Sequence, residues 1–324
     1  MTRRRRARGL LRTLVGGVTV GLVASVTLIA AVYDAETSRP TLAPTGLSFV
    51  RTGAYVTRYE SWGRSSANPV VLVHGAFESV DYWKPVATLL SRTTHVEAYD
   101  LEGYGYTQRV GPYDASALAT QLYEFLRARH LVHPVLVGHS LGAGVIARFV
   151  LEYPRVAAGI VFLDGDGLSL RYPGTQLVRW IPNLYMTALY RYAVRNDSLV
   201  SAIFRGACGP RCPAVTAAVL AMVQRPFEVA RAQSALLAYA AQPLVGVSVA
   251  QLRRIKRLGI HARVIFGADD TEYSNATPRL IAQRLGAPAP TIIAGAGHLS
   301  LWSSPGPVAA AIDRFVWTLS SSKH

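Results

Sequence analysis

Short apolar runs alternate with longer amphipathic segments over most of the chain. Candidate strands lie at 46–50, 54–60, 69–73, 95–100, 134–138, 159–164, 262–267 and 289–293, and candidate helices at 81–92, 115–129, 141–153, 275–285 and 305–319. The first two strands read as a hairpin. From residue 69 onward strand and helix alternate, which predicts an α/β fold: a mostly parallel sheet with helices on both faces. The runs PVVLV (69–73), PVLVG (134–138) and GIVFLD (159–164) are apolar throughout, as strands covered on both faces should be. The alternation stops between Gly167 and Ile260. The residues between look helical, rich in Ala, Leu, Tyr and Arg, and are punctuated by Pro173, Pro182, Pro210, Pro213, Pro226 and Pro243. A good strand follows at 262–267, so 169–258 reads as a helical insertion, a lid, within a core formed by 46–168 and 259–324. No repeat of solenoid or propeller length is visible.

The N-terminus carries a different pattern. Residues 14–33 run without a charge, and Arg3, Arg4, Arg5, Arg6, Arg8 and Arg12 precede them. Twenty helical residues span a hydrocarbon core of ~30 Å. The arginines should stay in the cytoplasm, which places everything after Tyr33 outside. Residues 1–33 therefore read as a basic tail and transmembrane anchor, and the polar, proline-bearing 34–45 as a linker. A cleaved signal peptide is the competing reading. Its apolar region would be ~7–15 residues, with small residues at both −3 and −1 of the cut. This run is longer, and cuts after Ala30 or Ala31 put Leu28 or Ile29 at −3.

The formal net charge of +15 invites a nucleic-acid reading, but its distribution argues otherwise. The excess sits in the N-terminal arginines and in 169–258, which has eleven Arg and Lys256 against Asp197 and Glu228; the remainder is close to neutral. No helix-turn-helix, zinc-finger or RNP signature is present. A surface of anionic lipid explains this split better than nucleic acid does. The lid charge could also hold an anionic substrate, or simply be a solvated face. Cys208 and Cys212 are the only cysteines, in ACGPRCP. Export would permit a disulfide between them, with free thiols as the alternative. A zinc site would need more ligands than this segment offers.

Chemistry concentrates in four turns. Gly138-His139-Ser140-Leu141-Gly142 matches G-x-S-x-G, between the apolar run Val135–Val137 and a helical stretch. A serine on such a strand-to-helix turn is held in a strained conformation with its hydroxyl exposed, and the glycines remove side chains that would clash. The alternative reading is a serine N-cap. A serine hydroxyl needs a base, and the base a carboxylate partner. The strand at 262–267 runs into Asp269-Asp270, and the last strand into Ala296-Gly297-His298. Both turns follow carboxyl ends of strands, where α/β sheets place their sites. Of eight histidines, His298 alone follows the last strand in a glycine-rich turn. His130, His133 and His261 read as loop or strand-flanking residues, and the His139 side chain should point away from Ser140. Asp269 and Asp270 both remain open as the acid, with Asp164 and Asp166 as fallbacks. Two backbone N–H donors should face an oxyanion: Leu141, and Ala76 or else Phe77 in the turn after 69–73.

Together these segments resemble the lid-bearing α/β-hydrolase superfamily. VVLVHGAFESVDYW is similar to its oxyanion turn, AYDLEGYGYT to its Asp-x-x-Gly-x-Gly loop, VLVGHSLGAG to its nucleophile elbow, VIFGADD to its acid turn and GAGH to its histidine turn. The resemblance covers about 46–168 and 259–319 and selects Asp270 as the acid. It implies a catalytic triad of Ser140, His298 and Asp270, an oxyanion hole at Ala76 and Leu141, and no metal or organic cofactor. Epoxide hydrolases and haloalkane dehalogenases of this fold carry an aspartate at the elbow, so Ser140 argues against both.

The expected activity is hydrolysis of an apolar or lipid-like ester through an acyl-enzyme. Acyl transfer, cofactor-free peroxidation and carbon–carbon bond hydrolysis could use the same site, and a non-catalytic binding protein is the remaining alternative. The lid's Tyr172, Trp180, Tyr185, Tyr190, Tyr192, Phe204 and Tyr239 would either pack on the core or line an acyl or aromatic pocket.

Overall fold

The computed structural model describes residues 2–64, 68–170 and 181–321, with the side chains of 2–13 outside that description. Eight strands form one sheet: β1 (Ser48–Thr52), β2 (Tyr55–Trp62), β3 (Val70–Val73), β4 (Val96–Tyr99), β5 (Val135–His139), β6 (Gly159–Leu163), β7 (His261–Gly267) and β8 (Thr291–Ile293), in the order β1-β2-β4-β3-β5-β6-β7-β8. β1 and β2 form the expected hairpin, β2 runs antiparallel to β4, and every other pairing is parallel. β3, β5 and β6 are fully buried because helices cover both faces. On one side pack α3 (Ala115–Ala128), α4 (Leu141–Glu152), α9 (Val249–Arg257) and α10 (Thr277–Leu285), with Phe125, Phe149, Leu252 and Ile281 in the core. On the other pack α2 (Lys84–Leu90), reached through a 3-10 turn at Val80–Trp83, α11 (Ser300–Ser303) and α12 (Pro305–Ser321), around Trp83, Ile312 and Phe315.

Four insertion helices separate β6 from α9: α5 (Asn183–Arg195), α6 (Asp197–Cys208), α7 (Ala217–Glu228) and α8 (Ala232–Ala240). Asn196 and Thr216 cap α6 and α7 by accepting from the Leu199 and Val219 amides. Of the insertion aromatics that can be placed, Phe204 and Tyr239 pack onto the body, Tyr185 and Tyr190 bond to the N-terminal helix and within the insertion, and Tyr192 is exposed. Tyr239 stacks on Tyr113 and donates to the Glu102 carbonyl, Phe204 sits against Tyr82 and Trp302, and Tyr190 donates to the Phe227 carbonyl. Tyr172 and Trp180 lie outside the described residues. α9, within the stretch read as lid, buries Leu252 and Ile255 beside the core helices α4 and α10. Cys208 and Cys212 are joined in a disulfide.

The N-terminal helix α1 (Thr2–Glu36) runs three residues past Tyr33. Its segment Leu14–Glu36 has a mean hydropathy of 2.2 and only 6% of it is buried, so by length and composition it can cross a membrane or serve as a signal sequence. Its last turns lie along α5. Thr27 Oγ1 meets the Tyr185 hydroxyl at 2.6 Å, and Arg191 pairs with Asp34. Beyond the helix, the Thr41 amide and hydroxyl both donate to Glu228.

One buried ionic cluster organises the loops at the sheet's working edge. Arg58 is 1% exposed and faces Asp81 at 3.0 Å, Glu60 at 3.4 Å and Asp100 at 3.5 Å. The Asp100 carboxylate also accepts from the Val80 and Tyr106 amides, closing the loop that contains Gly103 and Gly105. Burial by itself would lower the Arg58 pKa, and the surrounding carboxylates more than reverse that. Removing one partner of a buried charged group leaves the other uncompensated. Arg58→Met is therefore expected to destabilise the fold by about 3–5 kcal/mol in a urea titration.

Candidate active site

The carboxyl ends of β3, β5, β7 and β8 bring the four expected turns together. β5 ends at His139, and Ser140 follows at φ +48°, ψ −116°, a backbone that non-glycine residues rarely adopt. Ser140 is held there from several directions. Its N–H donates to the Leu163 carbonyl at 3.0 Å and its carbonyl accepts from the Ala143 amide. Space is the second constraint: a Cβ on Gly142 would overlap the Val73 carbonyl, and one on Gly138 would overlap the Gly142 backbone. The chain then turns directly into α4, whose first residue is Leu141. The turn after β3 lies against this elbow, since a Cβ on Gly75 would sit 3.0 Å from that of Ser140. Ala76 follows in the same turn, and Phe77 after it has φ +63° and a 54% exposed ring.

β7 ends in Gly267, and its following turn places Asp270 in the interior while Asp269 stays exposed. The Asp269 amide donates to the Ala296 carbonyl, tying this turn to the histidine turn. The Asp270 carboxylate accepts from the Glu272 amide with one oxygen and lies 2.9 Å from His298 Nδ1 with the other. His298 Nε2 lies 3.0 Å from Ser140 Oγ. With Nδ1–H donated to the carboxylate, Nε2 has its lone pair directed at the hydroxyl. That arrangement can take a proton from Ser140 and return it later. The fallback acids do not reach the ring. Asp164 accepts from Ser300 Oγ and the Gly267 amide, and Asp166 accepts from the Leu168 amide. Burial pushes the Asp164 carboxyl up to about 6, with the His139 charge holding it back.

The histidine turn is gripped by the lid. The Gly297 amide donates to the Cys208 carbonyl at 3.1 Å and the Leu299 amide to the Ala207 carbonyl at 2.9 Å, one bond on each side of His298. Gly209, at φ +85°, packs so closely that its Cβ would lie 2.7 Å from the Gly297 nitrogen.

The remaining histidines separate as expected by position. His130 and His133 are exposed at left-handed turn positions, and His261 is exposed at the start of β7. His139 points away from Ser140 into the interior, where it meets Glu78. Glu78 is a residue that sequence reasoning passed over. It is 6% exposed, and nothing in AFESVDYW separates it from a solvated turn acid. His74 is buried and neutral by its bonding: Nδ1–H donates to the Gly75 carbonyl and Nε2 accepts from the Leu101 amide. Burial lowers its pKa accordingly.

Comparison with known proteins places this geometry in a family. Over 130 residues, 40% of its length, the chain is 28% identical to ethanol acetyltransferase 1 of Cyberlindnera fabianii, spanning only 39% of that protein. Among solved structures it superposes on a putative lipase of Acinetobacter baumannii with a TM-score of 0.67 at 19% identity, covering 91% of this chain and 96% of that one. It superposes on a membrane phospholipase A with a TM-score of 0.63 at 19% identity, covering 99% of both chains. At such identities the two superpositions show the fold. A family model for the alpha/beta hydrolase family matches residues 70–311, from the first parallel strand into the last helix, and the chain belongs to that family.

Proposed function

We propose that the protein is a membrane-anchored serine hydrolase that cleaves an apolar or lipid-like ester, with Ser140 as nucleophile. The observation that carries this reading is the unbroken chain Asp270–His298–Ser140, with separations of 2.9 and 3.0 Å, at an elbow whose backbone strain exposes the hydroxyl. Ser140 Oγ attacks the ester carbonyl carbon as His298 Nε2 takes its proton. Asp270 fixes the ring orientation and stabilises the imidazolium. The N–H groups of Ala76 and Leu141 receive the oxyanion. His298 then protonates the departing alkoxide, and water releases the acyl group by the reverse sequence.

The meeting of the insertion with the N-terminal helix supports this substrate class. α1 lies beside α5, and Thr41 is bonded to Glu228, the neighbour of Phe227. Phe227 in turn faces Phe77 beside the oxyanion turn, with ring centroids 6.3 Å apart. The apolar rim of the site is thus within a few residues of the point where the chain would leave a bilayer, with the arginine-rich lid beside it. An ester held in or near a membrane would reach Ser140 from that side. The similarity to an acetyltransferase supports a second reading, in which an alcohol rather than water accepts the acyl group.

A fluorophosphonate probe should label the full-length protein and fail to label Ser140→Ala, whose ester hydrolysis should fall by at least about 10⁴-fold. A folded wild-type protein that resists the probe would remove the serine-hydrolase reading. Adding an alcohol to the assay measures how the acyl group partitions and separates hydrolysis from transfer. Gly209→Ala should push the lid loop against the histidine turn. We expect kcat to fall about tenfold with KM nearly unchanged, because small displacements of a catalytic base are costly. Full-length protein should pellet with membranes and resist a salt wash, whereas processing by signal cleavage would leave activity in the soluble fraction.

A further inference from the structure

Three of the site's turns meet at one buried pair that the triad does not use. Glu78 and His139 sit beneath the elbow, 6% and 0% exposed. Glu78 Oε1 lies 2.9 Å from His139 Nδ1, and Oε2 accepts from the Gly75 amide at 2.8 Å. His139 Nε2 lies 2.8 Å from the His298 carbonyl. The groups facing the ring come from every surrounding element: Glu78 and Gly75 from the turn after β3, Asp164 from the end of β6 at 3.9 Å, His298 from the turn after β8, and the Trp83 ring edge. Both ring nitrogens thus face oxygen acceptors. Only the doubly protonated imidazolium donates to both, and a buried imidazolium requires a carboxylate partner.

We infer that Glu78 and His139 form a charged strut that positions the oxyanion turn and His298 relative to Ser140. The inference rests on the serine-hydrolase reading above. The strut fixes three backbone points at once: Gly75 next to the oxyanion donor Ala76, His139 next to the nucleophile, and the carbonyl of His298 itself. The lid holds the flanking amides of Gly297 and Leu299, so His298 is suspended between a lid loop on one side and the strut on the other. Glu78 and His139 are positioning residues and touch no reacting atom.

The charge state agrees with the geometry. Burial would lower the His139 pKa, but the charge and hydrogen bond of Glu78, with Asp164 and the His298 carbonyl, raise it to about 9. Burial would likewise raise the Glu78 pKa, and His139 together with the Gly75 amide holds it below its ordinary value. In the unfolded chain the two groups titrate near 4.5 and 6.5. The pair's stabilisation is therefore complete between those values. It declines as pH rises from 6.5 through about 9, where folded His139 loses its proton, and as pH falls below 4.5 and Glu78 becomes protonated.

The test uses full-length protein in detergent micelles with a water-soluble p-nitrophenyl ester, comparing wild type, Glu78→Gln, Glu78→Ala and the double variant Glu78→Gln/His139→Phe. The double variant should lose kcat by about 10- to 100-fold with KM within about threefold of wild type. Gln at 78 still accepts from the Gly75 amide, so it should retain more kcat than Ala. The difference in Tm between wild type and Glu78→Gln should be widest between pH 4.5 and 6.5 and narrow toward pH 9. A folded double variant with wild-type kcat, a loss confined to KM, or a Tm difference that does not change with pH would each overturn the strut. Should the double variant not fold, wild-type kcat in both Glu78→Gln and Glu78→Ala overturns it equally. These results differ from failure of the underlying reading, in which wild type itself resists the fluorophosphonate probe.

Discussion

A serine held at φ +48° persists only where its surroundings determine the backbone more strongly than its own preferences do. Here that determination is steric. Gly138 and Gly142 let β5 turn into α4 with β3 lying directly against the helix start, and any side chain at Gly142 would meet the Val73 carbonyl. The parallel pairing of β5 with β3 and β6 fixes those neighbours. The reach of the hydroxyl to His298 and its proximity to the turn at Gly75 follow from this packing.

The site is assembled from turns that are far apart in sequence, and each is tied to another by polar groups taken out of water. The acid turn is bonded to the histidine turn through Asp269 and Ala296. The histidine turn is bonded to the lid through Ala207 and Cys208, and to the elbow through His139. Buried polar networks of this kind are favourable only when every member has a partner, so a small displacement in one turn is felt in the others. The insertion is then part of the framework around His298, because removing it would release both amides that flank that residue.

The N-terminal helix is held against the insertion helices. Joined to the body by a flexible linker alone, it would be free to move relative to the sheet. Thr27, Asp34 and Thr41 instead meet Tyr185, Arg191 and Glu228 of the insertion, contacts spread over 15 residues of chain. The residues that follow the helix are thereby docked on the insertion helices.

The sequence by itself determined the strand and helix pattern, the hairpin, the presence of a helical insertion after β6, the G-x-S-x-G elbow and the turns that carry Asp270 and His298, but it ran the insertion through α9, which packs on the core. These were legible because period-2 and fully apolar runs, glycine spacing and strand-end polar residues are local consequences of backbone geometry. The choice of Asp270 over Asp269 was open on local grounds and needed the family's acid-turn pattern. In space the two differ simply, one carboxylate turned inward to His298 and the other into solvent. Only tertiary structure decided the role of Glu78, whose partners lie 61 and 3 residues away on two different turns. The same holds for the bonds from Cys208 and Ala207 to the histidine turn and for the docking of α1 on α5. Each is a meeting of polar groups from separate elements inside a low-dielectric interior. No periodicity in the chain records such a meeting, because burial and pairing arise only when the whole sheet has formed.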